Sequence, residues 1–129
     1  MLISVIVPMK DEEGSLPHLA RELDDLRHAL AARSARLEVV LVDDGSEDAT
    51  AQAARALCGQ REAWSLVRHE RNRGFGAGLR TGVAAATGDV LVSYDADCAY
   101  PARDMRQLLD APAEGAAVPS ATPFAAGGA

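Results

Sequence analysis

The chain has 129 residues, enough for one domain with one sizeable core, since a domain of roughly 150 residues buries about two thirds of the surface its unfolded chain exposes. A hydrophobic content of 48% with 25% charged residues argues against both a disordered and a membrane-embedded chain. Twelve Arg and one Lys are scattered among nineteen carboxylates for a net charge of -6, so no nucleic-acid partner held by counterion release is expected.

Leu2 to Val7 is a short, nearly all-apolar run ended by Pro8, the signature of a strand buried on both faces of a parallel sheet. After the polar turn Lys10 to Gly14, Ser15 is placed to cap a helix whose leucines at 16, 19, 23, 26 and 30 form one apolar stripe. Leu37 to Val42 repeats the buried-strand pattern and runs into Asp43-Asp44-Gly45-Ser46, where Ser46 can cap an Ala-rich helix over 48–57. Trp64 to Arg68 reads as a third strand. Asn72-Arg73-Gly74 and a small-residue helix from about Leu79 to Ala86 follow, and Asp89 to Tyr94 reads as the fourth strand.

Strands alternating with helices predict an α/β fold, a mainly parallel sheet with right-handed crossovers and helices on both faces. Ligands of such sheets sit beyond the carboxyl ends of the strands, so the polar clusters after strands one, two and four should converge on one edge. Residues 1–110 are read as the folded α/β domain and residues 111–129 as an Ala/Pro/Gly-rich tail, with a further short strand expected within 116–121. The chain is expected to be the first part of something longer.

Cys58 and Cys98 have no CxxC or Cys/His spacing, which fits two reduced thiols. No run approaches the roughly 18 apolar residues of a spanning helix. The expected location is the cytoplasm, either free or peripherally at the cytoplasmic face of a membrane.

The chemistry concentrates at strand ends. Asp95-Ala96-Asp97 follows the fourth strand; if the segment stays extended, both carboxylates point to one side. Such a pair suits Mg²⁺ or Mn²⁺, which commonly bridge one or two carboxylates to substrate phosphates. Without a cation, each carboxylate would repel a phosphate charge by about 1 kcal/mol at 4 Å in water, and several times more in a drier cleft. Two solvated turn aspartates are the plain alternative, and an aspartyl-phosphatase pair is disfavoured because Ala99 stands where that chemistry usually has Thr. Asp44 is the candidate acceptor for a nucleobase N–H, whereas Asp43 can equally serve to cap its own turn. Pro8 and Glu12 border the same cleft.

The glycines at 74, 76, 78 and 82 miss the G-x-G-x-x-G spacing and follow the wrong strand for a dinucleotide fingerprint, so close helix packing is the expected role. His18, His28 and His69 show no ligand spacing and are read as surface or capping residues, and Cys98 as a packing residue.

Taken in order, Val5-Ile6-Val7-Pro8 with Lys10-Asp11-Glu12, Val42-Asp43-Asp44-Gly45-Ser46, Asn72-Arg73-Gly74 and Asp95-Ala96-Asp97 resemble the family 2 glycosyltransferases, and within them the polyprenyl-phosphate (dolichol-phosphate) sugar transferases. The resemblance implies the A-type glycosyltransferase fold and a UDP- or GDP-linked sugar as donor. It implies Mg²⁺ or Mn²⁺ as cofactor and transfer with inversion to a lipid phosphate, such as a polyprenyl phosphate, or another acceptor. Pro8, Lys10, Glu12, Val42 and Asp44 would surround the nucleoside, Asp95 and Ala96 the diphosphate, and Asp95 and Asp97 the metal. Relatives often have an aromatic residue at the position of Lys10 and a metal-holding glutamine at that of Ala99, and Gly-Ser-Arg where Ala121-Thr122-Pro123 stands. Their acceptor region and catalytic base generally lie further along than residue 129, so no residue here is assigned as the base. A donor-binding fragment without turnover is the alternative reading.

Overall fold

The computed structural model describes residues 1–110 and 123–125. Its elements run β1 (Leu2–Met9), α1 (Leu16–Ala31), β2 (Arg36–Asp44), α2 (Thr50–Gly59), β3 (Trp64–His69), α3 (Phe75–Ala85), β4 (Val90–Ser93), a 3₁₀ segment (Ala102–Leu109) and β5 (Pro123–Ala125). The sheet order is β3-β2-β1-β4-β5, with the first three neighbouring pairs parallel and β5 antiparallel on β4. This is the mainly parallel α/β sheet expected from the alternating pattern. β5 belongs to the segment read as a tail, whereas the strand expected within 116–121 lies outside the described residues.

Alternation along β1 splits the apolar residues between two layers. Ile3, Val5 and Val7 meet α1, α2 and the 3₁₀ segment, and all five leucines of the α1 stripe are buried there. On the other face Ile6, Val40, Val42 and Leu91 meet Leu79 and Val83 of α3. Helices therefore cover both faces. α3 lies close because it lacks side chains where it touches the sheet: a Cβ on Gly82 would stand 2.2 Å from Ile6 Cγ2, and one on Gly78 would stand 3.3 Å from Pro8 Cβ. The packing role expected for the glycines at 74, 76, 78 and 82 holds for Gly78 and Gly82, whereas Gly74 and Gly76 are exposed and meet no part of the sheet.

Three local expectations are corrected. β1 continues through Pro8 to Met9. The carbonyls of Leu2 and Ile6 accept from Asp89 and Tyr94 on the β4 side, so position 8 faces that side too, beyond the last β4 pairing at Ser93, and its missing N–H costs no ladder bond. Ser15 precedes α1 but makes no side-chain cap; its hydroxyl instead donates to Glu12 Oε2 at 2.9 Å. Ser46 caps nothing either, because α2 begins at Thr50, four residues later, and the hydroxyl accepts from the Asp11 amide at 2.8 Å.

Candidate functional site

Because β1 to β4 are parallel, Met9, Asp44, His69 and Ser93 end on the same edge of the sheet. The loops after β1, β2 and β3 are stitched together there. The Asp11 amide donates to Ser46, Asp11 Oδ1 accepts from the amides of Glu47 (2.8 Å) and Asp48 (3.4 Å), and the Glu12 amide donates to Thr50 Oγ1 at 2.8 Å. These amide bonds, led by that of Glu47, and the Lys10 ammonium 3.0 Å away hold the Asp11 carboxyl below the usual range. Lys10 is thus turned onto its neighbour, and Glu12 braces the loop through Ser15.

Gly45 lets the β2 turn meet the loop after β3. Its φ is +72°, and a Cβ there would lie 2.4 Å from the Arg71 carbonyl carbon. This approach puts two loop amides on Asp44, that of Arg73 at 2.8 Å on Oδ1 and that of Gly74 at 2.9 Å on Oδ2. His69 Nδ1 lies 2.7 Å from Oδ1. Asp44 is only 5% exposed, and desolvation pushes its carboxyl upward. The bonds from His69, Arg73 and Gly74 outweigh that and hold it below the ordinary range, so it stays an ionised acceptor. Asp43 is fully buried and caps its own turn by accepting from the Ser46 amide at 3.2 Å. Its Oδ2 has no hydrogen-bond donor; Arg68 Nε, 3.3 Å away, offers charge without alignment.

His69 corrects the sequence reading. Exposed positions suit His18 and His28, but His69 is 6% exposed and joins Asp44 to Thr81 Oγ1 on α3, which lies 2.8 Å from its Nε2. The signal was register: in parallel β2 and β3, Asp44 and His69 are direct partners.

Asp95 and Asp97 are both exposed, with Ala96 buried between them. They do not continue the strand. The Cys98 amide donates to the Asp95 carbonyl at 3.0 Å and closes a turn, with Cys98 at φ 56°, so the extended geometry expected for the pair is replaced by a β-turn. Behind the turn the Tyr94 hydroxyl donates to the Tyr100 carbonyl at 2.6 Å, and the two rings meet edge to face at 5.2 Å. Burial, with the Asp95 charge nearby, pushes Tyr100 up to about 12, and burial also raises the Cys98 thiol, as befits a packing residue and not a nucleophile.

No hydrogen bond or ion pair reaches the Asp95 or Asp97 carboxylates among the described residues, and no group of three His, Cys, Asp or Glu gathers there to enclose a metal. Two free carboxylates at a tightly anchored turn fit a hard divalent cation that takes its remaining ligands from phosphate and water. The Val42 side chain packs beneath Gly78 and Gly82, so only its backbone is left for a ligand. A groove of about 830 Å³ lies at the opposite end of the strands, lined by Arg27, Arg36, Arg61 and Trp64 among others. It has no carboxylate pair free for a metal and lies away from the strand ends where the polar loops meet.

The sequence matches Glycosyl transferase family 2 over residues 4–128. The chain belongs to that family. This family 2 glycosyltransferase chain is 34% identical over 116 residues to the undecaprenyl-phosphate 4-deoxy-4-formamido-L-arabinose transferase of Pseudomonas paraeruginosa, covering 88% of the chain and 33% of the relative. The enzyme of the same name from Aeromonas hydrophila is 34% identical over 117 residues, covering 88% and 34%. The chain thus spans about a third of the length of these curated relatives. Among solved structures, the mannosyltransferase PcManGT of Pyrobaculum calidifontis in complex with GDP-Man and Mn²⁺ superposes with a TM-score of 0.68 at 32% identity, over 80% of this chain and 29% of that one. S. aureus TarS 1-349 in complex with UDP-GlcNAc gives 0.63 at 28% identity, over 75% and 27%. The A-type glycosyltransferase fold follows from these likenesses together with the parallel sheet.

Proposed function

We propose that the chain is the donor-binding part of a metal-dependent glycosyltransferase, taking a UDP- or GDP-linked sugar and passing the sugar, with inversion, to a lipid phosphate such as a polyprenyl phosphate. The observation that carries this reading is one sheet edge bearing a fixed, ionised acceptor at the end of β2 and a free carboxylate pair after β4. The relatives' names, with undecaprenyl phosphate in them, support the acceptor class. A PcManGT complex holding GDP-Man and Mn²⁺ supports the donor and the metal.

Residues 1–110 form the donor domain in this reading. Asp44 accepts an N–H of the base, with Pro8, Lys10, Glu12 and the Val42 backbone around the nucleoside and Ala96 beside the diphosphate. Asp95 and Asp97 hold Mg²⁺ or Mn²⁺, which offsets the diphosphate charge when bound. The placement is peripheral, at the cytoplasmic face of a membrane, and among the described residues no helix is long and apolar enough to cross one. No described residue is assigned as the base that deprotonates the acceptor.

A thermal-shift screen of UDP- and GDP-sugars with Mn²⁺ tests the reading, since a ligand at 100 times its dissociation constant adds about 2.7 kcal/mol of stability. Stabilisation by at least one of them is expected. No shift with any, with or without metal, would refute it.

A further inference from the structure

His69 ends β3 opposite Asp44, with Nδ1 2.7 Å from Asp44 Oδ1 and Nε2 2.8 Å from Thr81 Oγ1. An ionised carboxylate only accepts, so the Nδ1 proton follows from the chemistry of its partner, and the Thr81 hydroxyl can donate to or accept from the other nitrogen. Oδ1 then receives His69 and the Arg73 amide and is saturated, whereas Oδ2 receives only the Gly74 amide. One lone pair of the carboxylate remains for a ligand.

We propose that His69 is a positioning residue for base selection: clamped by Thr81, it fixes Asp44 as a one-vacancy, acceptor-only group that admits bases carrying a ring N–H and rejects those presenting a ring-nitrogen acceptor. This rests on the reading of Asp44 as the base contact. Uracil N3 and guanine N1 carry the required hydrogen, whereas cytosine N3 is an acceptor and would face the carboxylate lone pair to lone pair. Without His69 the carboxylate keeps only the two loop amides, one on each oxygen, so Oδ1 gains a vacant lone pair beside that of Oδ2 and the group no longer offers a single acceptor position.

The test compares UDP, GDP and CDP binding to the 129-residue chain by calorimetry with Mn²⁺, in wild type and in His69→Ala, His69→Asn and His69→Gln. The Asn amide nitrogen falls near the position of Nδ1, whereas that of Gln falls near Nε2 and cannot reach Asp44. We expect wild type to favour UDP or GDP over CDP. His69→Ala and His69→Gln should lower that preference by about tenfold or more, the cost of a lost bond to a charged group, with His69→Asn staying within about threefold of wild type. An unchanged preference in His69→Ala or His69→Gln, whatever happens to the melting temperature, would overturn the proposal and leave His69 a packing residue. If His69→Ala does not fold, the Asn and Gln pair decides by the same criterion. A wild type that binds nucleotide without preferring UDP or GDP over CDP would instead remove the Asp44 base contact, and the His69 role with it.

Discussion

The two carboxylate clusters on this sheet edge are built in opposite ways. Asp44 is buried and takes three donors from its own chain, from His69 and from the amides of Arg73 and Gly74. Asp95 and Asp97 are exposed and take none among the described residues. A buried anion must be satisfied by the protein or it neutralises, whereas an exposed pair can wait in water for a cation. The end of β2 is therefore complete by itself, and the turn after β4 is, in the proposed reading, half a site whose remaining part arrives with metal and diphosphate.

The sharpest way to break this contrast is Asp97→Ala. It removes one of the two proposed metal ligands, so Mn²⁺-dependent nucleotide affinity should fall beyond the roughly 10–100-fold that losing an outer-shell partner costs. The melting temperature should not move, because no hydrogen bond or ion pair among the described residues depends on that carboxylate. A parallel loss of stability would show that the pair is structural.

Gly45→Ala should act the other way, on the fold first. Its Cβ would meet the Arg71 backbone at 2.4 Å with φ held at +72°. A cost of about 2–4 kcal/mol in chemical denaturation is expected from overpacking plus backbone strain. Unchanged stability would mean that the β2 turn and the Arg71 to Gly74 loop are not tightly apposed.

Asp44→Asn removes a charge that is stabilising only while ionised. The folded carboxyl titrates below its unfolded value of about 3.9, so its contribution is full above that value and fades as pH falls through the lower, folded one. The variant should lose stability at neutral pH and lose part of the acid limb of the stability profile, and bind UDP or GDP about tenfold more weakly. An acid limb identical to wild type would place the titration elsewhere.

The smallest expected effect is a gain. Ala99→Gln supplies an amide oxygen beside the carboxylate pair, at the position where the family resemblance implies a metal-holding glutamine, and Mn²⁺ affinity should rise a few-fold without a change in melting temperature. Weaker metal binding would mean that the turn presents its ligands in another direction.

How much of this was legible follows from the physics of each feature. The strands and the α1 stripe were readable because burial repeats at a fixed period: Leu16, Leu19, Leu23, Leu26 and Leu30 are all buried. The convergence of Asp44 and Asp95 on one edge followed from parallel topology alone. Hydroxyl roles were not readable, since Ser15 and Ser46 could cap a helix or bond across loops, and the loops after β1 and β2 claimed them. His69 was missed because its partner lies 25 residues away, yet the paired ends of β2 and β3 would have pointed to it. The turn at Asp95 was hidden because its backbone depends on the Tyr94 and Tyr100 anchor behind it.

The central claim is that a finished acceptor and an unfinished metal site together make a donor pocket. Calorimetric titration of UDP and GDP into the wild-type chain, once with Mn²⁺ and once with EDTA, tests it most directly. Binding of at least one nucleotide with Mn²⁺, weakened tenfold or more by EDTA, is the predicted result. Equal affinity in the two conditions would contradict it.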